Sequence, residues 1–191
     1  MSGPTQTGAV IIGASAGALE ALTAILPKLK PGFPLPIFVI VHVPPDKRSV
    51  LAEIFGAKCS LRAIEPEDKE PVEPGVIYFA PPNYHMLFED SGTIALSNED
   101  QILFSRPSID VSFESAAEVW GRRLTGIVLT GANHDGAAGL RSIAEAGGTA
   151  LVQDPTNAYA RAMPEAAIAA CASARVFSLA EIATYLSSSS S

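Results

Sequence analysis

Short apolar runs alternate with stretches of helical periodicity along most of this chain, and that alternation restricts the fold more than any other feature. The run Ala9–Ile12 ends at Gly13, after which apolar residues recur at the spacing of one helix face as far as Leu29. Further strand-like runs are Ile37–Val41, Gly126–Leu129 and Thr149–Val152, and further helix-like stretches are Ser49–Phe55, Asp110–Trp120, Gly136–Ala146, Glu165–Cys171 and Leu179–Leu186. Pro164 is expected to open the helix that follows it. The alternation predicts an α/β fold with a doubly wound, mainly parallel sheet that carries helices on both faces.

The middle of the chain departs from this alternation. Prolines interrupt the segment from Leu61 to Leu96, and short β-like runs occur there at Val76–Ala80 and Met86–Glu89. We therefore expect irregular or antiparallel structure in this segment, as a small antiparallel extension of the main sheet.

The composition suits a globular protein with a sizeable core. The 191-residue chain is 48% hydrophobic and 17% charged. No apolar run reaches the roughly 18 to 20 residues of a membrane-spanning helix. We expect a single domain over residues 9–186, between a flexible N-terminus at 1–8 and a serine tail at 187–191. Because the start of the chain lacks the basic and apolar parts of a secretory signal, we expect a cytoplasmic protein without membrane insertion.

The charge balance and the cysteines argue against several kinds of partner. A formal net charge of −7 disfavours any function that depends on neutralising nucleic acid or an anionic membrane. Cys59 and Cys171 are too far apart to suggest a disulfide framework, and they form no Cys-x-x-Cys pair that would hold zinc. We predict two reduced thiols and no nucleic-acid partner.

Three predicted strands are followed by polar residues that suit one kind of chemistry. Ser15 lies within Gly13–Gly17 after the first strand, His42 follows the second, and Asp135 lies in the later loop Thr130–Gly136. Ligands of doubly wound sheets bind at the carboxyl ends of the strands, so these side chains are expected at one edge. A serine hydroxyl becomes a good nucleophile when an imidazole accepts its proton and a carboxylate orients that imidazole. The sequence therefore predicts Ser15, His42 and Asp135 as catalytic residues.

Each of these residues also has an alternative interpretation that the sequence leaves open. The segment Gly13–Gly17 matches G-x-S-x-G, which exposes a nucleophile, but a glycine-rich turn can also bind a phosphate while Ser15 caps the helix. His42 can be a packed imidazole, and Asp135 can be a first-turn carboxylate favoured by the helix dipole. The convergence of three complementary groups on one sheet edge favours the catalytic interpretation.

The order of the three residues along the chain separates them from one known group of enzymes. The α/β-hydrolases share the pentapeptide but have the order Ser, acid, His. Asp110 and His134 could supply that order here, and we rank this alternative second. Because His134 is adjacent to Asp135, and adjacent residues rarely aim at one target, we expect His134 to be dispensable as a base.

Several blocks of the sequence resemble the catalytic domain of bacterial protein-glutamate methylesterases, the CheB type that acts on chemotaxis receptors. The similar blocks run in the correct order from about Gly8 to Tyr185. They are Val10–Glu20 (VIIGASAGALE), Val41–Pro44 (VHVP), Ile77–Leu87 (IYFAPPNYHML), Arg106–Phe113 (RPSIDVSF), Val128–Leu140 (VLTGANHDGAAGL) and Gln153–Ile168. Such ordered coverage is more specific than any single motif.

The resemblance implies a serine esterase that hydrolyses methyl esters on glutamyl side chains, with deamidation of particular glutamines as a further reaction. It implies the methylated cytoplasmic region of a chemoreceptor as the protein substrate, and neither a metal nor an organic cofactor. By matching position, Ser15 would be the nucleophile, His42 the general base and Asp135 the group that orients it. Backbone amides of Ala16 and Ala132 are candidate oxyanion donors.

Some positions depart from the family pattern. The nucleophile turn reads Ser15-Ala16-Gly17-Ala18 where the family usually has Ser-Thr-Gly-Gly, and the aspartate loop has Ala132-Asn133 where it usually has Met-Gly. These changes bear on the oxyanion site and the substrate fit. They keep open a catalytically quiet interaction module of the same fold, and the glycine turn keeps open a nucleotide-binding domain. His85, in a similar block, is expected to help shape the substrate cleft.

Family members also commonly carry an N-terminal receiver domain that controls activity through phosphorylation. Only eight residues precede the first predicted strand here. Control would then be absent, supplied by a separate receiver or signalling protein, or encoded outside this sequence.

Overall fold

Nine strands form two sheets in a computed structural model that describes residues 7–44, 46–102 and 105–189. In chain order the strands are β1 (Ala9–Ala14), β2 (Ile37–Val41), β3 (Arg62–Ile64), β4 (Val76–Phe79), β5 (His85–Phe88), β6 (Ile94–Ser97), β7 (Leu124–Val128), β8 (Thr149–Gln153) and β9 (Arg175–Phe177). Seven of them form one sheet in the order β3-β4-β2-β1-β7-β8-β9. Every neighbouring pair in this sheet is parallel. Strands β5 and β6 pair antiparallel in a separate sheet.

Helices cover both faces of the seven-stranded sheet. They are α1 (Ala18–Ile25), α2 (Leu51–Lys58), α3 (Ile109–Trp120), α4 (Ala137–Glu145), α5 (Ala162–Ala170) and α6 (Leu179–Ser188). Helices α1, α2 and α6 pack on one face, and α3, α4 and α5 pack on the other. Strand β1 is buried throughout because both of its faces are covered. Val10 and Ile12 lie in the core formed with α1, α2 and α6, and Ala9 and Ile11 lie in the core formed with α3, α4 and α5. The predicted doubly wound α/β fold is confirmed.

The middle of the chain is more regular than the sequence predicts. Strand β3 pairs in parallel with β4, and β4 pairs in parallel with β2. The expectation of irregular or antiparallel structure is wrong for these two strands, because the proline-bearing residues 65–75 form the connection that parallel neighbours need. Strands β5 and β6 supply the expected antiparallel element.

Helices α2 and α5 begin two or more residues away from their predicted starts. Helix α2 begins at Leu51 rather than Ser49, because the Ser49 hydroxyl lies outside the helix and accepts a hydrogen bond from Leu51 N at 3.4 Å. Helix α5 begins at Ala162, which makes Pro164 its third residue. Proline is tolerated there because the first N–H groups of a helix have no partner within it.

The ends of the chain are described only in part. Helix α6 continues through Ser187 and Ser188, so the first two residues of the expected serine tail at 187–191 are helical. Residues 1–6 of the expected flexible N-terminus, and residues 190–191, lie outside the described residues. Within the described ranges, no helix combines the length and the apolar character needed to span a bilayer.

The sheet order brings the predicted site residues to one edge. Strands β2, β1 and β7 are neighbours and run in the same direction. Ser15 follows β1, His42 follows β2, and Asp135 lies in the loop between β7 and α4. The three predicted site residues therefore lie at the carboxyl edge of the three central strands, as expected for a doubly wound sheet.

Candidate active site

Ser15 lies in a tight turn between β1 and α1. Its backbone N–H donates to the carbonyl of Thr130 at 2.9 Å, which fixes the turn against the β7 loop. Gly17 caps α1 with a φ of 84°, and a Cβ there would lie 2.6 Å from the Cβ of Tyr159, so the turn requires glycine. No side chain in the described part of the chain caps α1. The alternative in which Ser15 serves as the helix cap is therefore wrong.

His42 joins the other two predicted residues in one chain of hydrogen bonds. Its Nδ1 lies 3.1 Å from the Ser15 hydroxyl, and its Nε2 lies 2.7 Å from Oδ2 of Asp135. An ionised carboxylate only accepts hydrogen bonds, so Nε2 of His42 carries the ring proton and Nδ1 presents a lone pair to Ser15. This is the arrangement in which an imidazole can accept the proton of an attacking serine.

Asp135 is held as an anion in a nearly inaccessible position. Its side chain is 1% exposed. Besides His42, it accepts hydrogen bonds from Ile109 N at 2.7 Å, Asp110 N at 2.9 Å and the Ser108 hydroxyl at 3.3 Å. Burial acts to raise the pKa of Asp135, but the hydrogen bonds from His42 and the two backbone groups outweigh it and lower that pKa. The carboxylate can therefore stabilise a positive charge on His42.

Asp110, the acid of the second-ranked alternative, serves a different helix. Its Oδ1 accepts hydrogen bonds from Gly136 N at 3.0 Å and Gly139 N at 2.7 Å, at the start of α4. Burial, together with the negative charge of Asp135, raises its pKa to about 6. His134 is exposed, and its side chain makes no hydrogen bond to any residue that the structure describes. The hydrolase-type pair is not assembled.

A second layer of residues that the sequence does not reveal supports Asp135. His85 is 2% exposed; its Nδ1 accepts from Ser108 N at 3.1 Å and its Nε2 donates to Asp100 O at 3.0 Å. The Ser108 hydroxyl also caps α3 by accepting from Val111 N. His85 thus lies behind the acid, where it positions Ser108 instead of lining the open groove. The only sequence signal for His85 is its position in a block that resembles the family.

Asn133 is a further contact of His42 that the sequence does not predict. Its Nδ2 lies 3.1 Å from Nδ1 of His42, and its Oδ1 accepts from Asp135 N at 3.0 Å. The only sequence signal at this position is the departure from the family pattern.

Ser15 and His42 open onto a groove of about 940 Å³ between α1 and α2. Large apolar side chains that are exposed on its walls are Leu19, Val50 and Tyr159, and its basic side chains are Lys47, Arg48 and Lys58. The backbone N–H groups of Ala16 and Ala132 have no acceptor within the described part of the chain. Among those same residues, no group of three or more His, Cys, Asp or Glu side chains could hold a metal ion.

A doubly wound sheet whose edge carries a hydrogen-bonded Ser, His and Asp, open to a groove, has the architecture of a serine hydrolase. Comparison with known proteins identifies which one. The chain belongs to the CheB methylesterase family, whose model matches residues 10–186. The resemblance noted in the sequence is thereby confirmed, and the family is one of carboxylic ester hydrolases.

Individual relatives agree with this family assignment. A Leptospira interrogans protein, provisionally named a protein-glutamate methylesterase/protein-glutamine glutaminase, is 45% identical over 92% of this chain and 91% of its own length. A Caulobacter vibrioides protein-glutamate methylesterase/protein-glutamine glutaminase is 36% identical over 98% of this chain and 54% of its own length. This chain therefore spans about half of some longer relatives. The crystal structure of the Thermotoga maritima CheB methylesterase catalytic domain matches 98% of this chain and 99% of that chain, with a TM-score of 0.89 and 30% identity.

Proposed function

We propose that this chain hydrolyses methyl esters on glutamyl side chains of chemoreceptors and deamidates glutamine side chains at the same site. The observation that carries the proposal is the continuous hydrogen-bonded chain from Ser15 through His42 to Asp135 in a member of this family. The methylated region of such receptors is cytoplasmic, so we assign the reaction to that compartment.

In the acylation step, the Ser15 oxygen attacks the ester carbonyl while His42 Nδ1 takes the hydroxyl proton. The imidazolium that forms is stabilised by Asp135, whose carboxylate accepts its Nε2–H. His42 then returns the proton to the leaving methoxide, and methanol departs from the acyl-enzyme. The N–H groups of Ala16 and Ala132, which have no acceptor among the described residues, are our candidate donors to the tetrahedral oxyanion.

In the deacylation step, His42 removes a proton from water, the resulting hydroxide attacks the glutamyl ester of Ser15, and the serine leaves with that proton. The glutamic acid that is released loses its remaining proton to water, so the final product is an ionised glutamate. A glutamine side chain follows the same two steps with ammonia in place of methanol. One site therefore suffices for both reactions.

The groove suits a protein segment that carries negative charge beside the ester. Lys47 and Lys58 lie on its walls in a chain whose net charge is −7. Exposed Leu19 and Val50 offer apolar contact next to them. A helical receptor segment with one apolar stripe and neighbouring glutamates matches both features, and we propose such a segment as the substrate.

The test is methanol release from membranes that carry a radiolabelled, methylated chemoreceptor. Ser15→Ala should abolish release, and Ser142→Ala, which changes a partly exposed serine of α4, should retain it. Release by a folded Ser15→Ala protein, purified free of wild-type enzyme, would remove Ser15 from the mechanism.

A serine-directed phosphonate separates this proposal from the two alternatives. Stoichiometric labelling of Ser15 is expected for the esterase. An unlabelled but folded protein that still binds receptor would support a catalytically quiet interaction module. An unlabelled protein stabilised against heat by a nucleotide would support a nucleotide-binding domain.

A further inference from the structure

The side-chain amide of Asn133 is fixed in one orientation. Its Oδ1 accepts a hydrogen bond from Asp135 N, and a backbone N–H can only donate, so the oxygen and not the nitrogen must face it. The Nδ2 group, which can only donate, is therefore the group that faces His42 Nδ1 at 3.1 Å. Asn133 connects the acid's own loop to the base.

Two donors share one lone pair on His42. Asp135 accepts at Nε2, so the single in-plane lone pair of the neutral ring lies on Nδ1. Both the Ser15 hydroxyl and the Asn133 amide approach that atom at 3.1 Å. When Nδ1 takes a proton, its new N–H would face the N–H of Asn133, and neither can accept. The contact therefore favours the neutral ring over the imidazolium.

The charged groups around His42 lie at positions other than Nδ1. Asp135 binds the opposite ring nitrogen and favours the imidazolium, with Asp110 behind it. Arg106 lines a small cavity together with His42, while its guanidinium donates to the carbonyls of Asn98 and Glu99. Lys47, Arg48 and Glu20 line the main groove. None of these charged groups has a described contact with the reacting atom, Nδ1, which Asn133 does contact.

We propose that Asn133 is a positioning residue for the general base: it holds the His42 ring with Nδ1 towards Ser15, and its N–H group, which cannot accept, disfavours a proton on that nitrogen. The role of His42 as base rests on the proposed function. The hydrogen bond from Asn133 to His42 is independent of that function. The consequence is a base held in place for Ser15 at some cost in its strength.

Removing the amide should move the acidic limb of the pH–rate profile upward. For Asn133→Ala, the midpoint of that limb is expected about 0.5 to 1 pH unit higher than in wild type, as expected from the loss of one neutral hydrogen bond. Asn133→Asp should move it further, because a carboxylate of the same shape can accept from both Asp135 N and a protonated Nδ1. His134→Gln, an exposed neighbour, should leave the midpoint unchanged.

The experiment combines kcat for methanol release as a function of pH with an NMR titration of the His42 ring in the same four proteins. An upward shift in both series, in the order wild type, Asn133→Ala, Asn133→Asp, supports the proposal. A uniform fall in kcat with no movement of either midpoint would mean that Asn133 only holds the loop, and would overturn it. If Asn133→Ala does not fold, the isosteric Asn133→Asp decides alone by the same criterion.

The NMR series keeps this inference separate from the proposed function. If the wild type releases no methanol but the His42 midpoint rises in the variants, the positioning role stands and the esterase proposal fails. If methanol release is normal and the His42 midpoint does not move in the variants, the esterase proposal stands and the positioning role fails.

Discussion

Asp110 and Asp135 each accept backbone hydrogen bonds from the start of the helix beside the other: Asp110 from α4 and Asp135 from α3. Asp110 lies in the first turn of α3 and accepts backbone hydrogen bonds from the start of α4. Asp135 directly precedes the cap of α4 and accepts from the start of α3. Each carboxylate satisfies N–H groups that a helix leaves unpaired, and each lies at the positive end of a helix dipole. The exchange locks the two helices together beneath His42.

Relative to the wild type, Asp110→Asn should be more favourable for stability at neutral pH than in acid. The raised pKa of Asp110, about 6, means that folding favours the protonated acid, so the wild type loses stability as pH rises from about 4 through 6. Asparagine keeps an oxygen for Gly136 and Gly139 but does not ionise. After allowance for partial exposure, we expect the difference in unfolding free energy to move by about 1 kcal/mol in the variant's favour between pH 4.5 and 7.5.

Urea denaturation of both proteins at the two pH values measures that difference. A difference that is constant with pH, or that moves in favour of the wild type, would contradict the raised pKa.

Asp135→Asn should lower turnover by roughly 10³-fold to 10⁴-fold and also lower stability, because both carboxylate oxygens accept buried backbone N–H groups and an amide nitrogen cannot. The amide removes the charge that stabilises the imidazolium and no longer enforces the Nε2–H form of His42. Methanol release at saturating substrate measures the loss. Asp90→Asn, an exposed carboxylate near the β5–β6 turn, serves as the matched control, and an equal loss in that protein would point to a general effect of charge.

His42→Gln should lower turnover by about 10³-fold or more, whereas His134→Gln should have little effect. The first side chain contacts both Ser15 and Asp135, and the second is exposed on the loop. Acylation rates of the two variants under identical conditions, with circular dichroism as the folding check, make the comparison. Normal acylation by His42→Gln together with loss in His134→Gln would make the proposed assignment wrong.

His85→Ala should destabilise the fold by about 2 to 4 kcal/mol and lower kcat by about 10-fold. The change leaves Ser108 N and Asp100 O without their imidazole partner in a buried site and opens a cavity. Ser108 then holds Asp135 less firmly. Urea denaturation gives the first value, and kcat at a temperature where the variant is folded gives the second. Unchanged stability would show that these hydrogen bonds are replaced by water.

The sequence predicts the central strands and the residues at their ends because both follow from local pattern. Ile37–Val41 is apolar without interruption, and His42 is the first polar residue after it, so strand and site residue are recognised together. Strand β3 spans only Arg62–Ile64 and is partly exposed, which leaves no apolar run to detect. The partners of Asp135 are also invisible, since Ser108 is 27 residues away along the chain and meets it only through the packing of α3 on α4.

The hydroxyl of Thr130 joins segments that leave the ribosome at very different times. It donates to Ala16 O at 2.8 Å in the nucleophile turn and accepts from Ala160 N at 2.8 Å near the C-terminal end of the domain. The turn that bears Ser15 is synthesised well before Ala160, so its support is complete only after Ala160 has emerged. A nascent chain therefore carries the Ser15 turn without its Thr130 support until Ala160 is available, so the proposed site becomes organised only at that stage of synthesis.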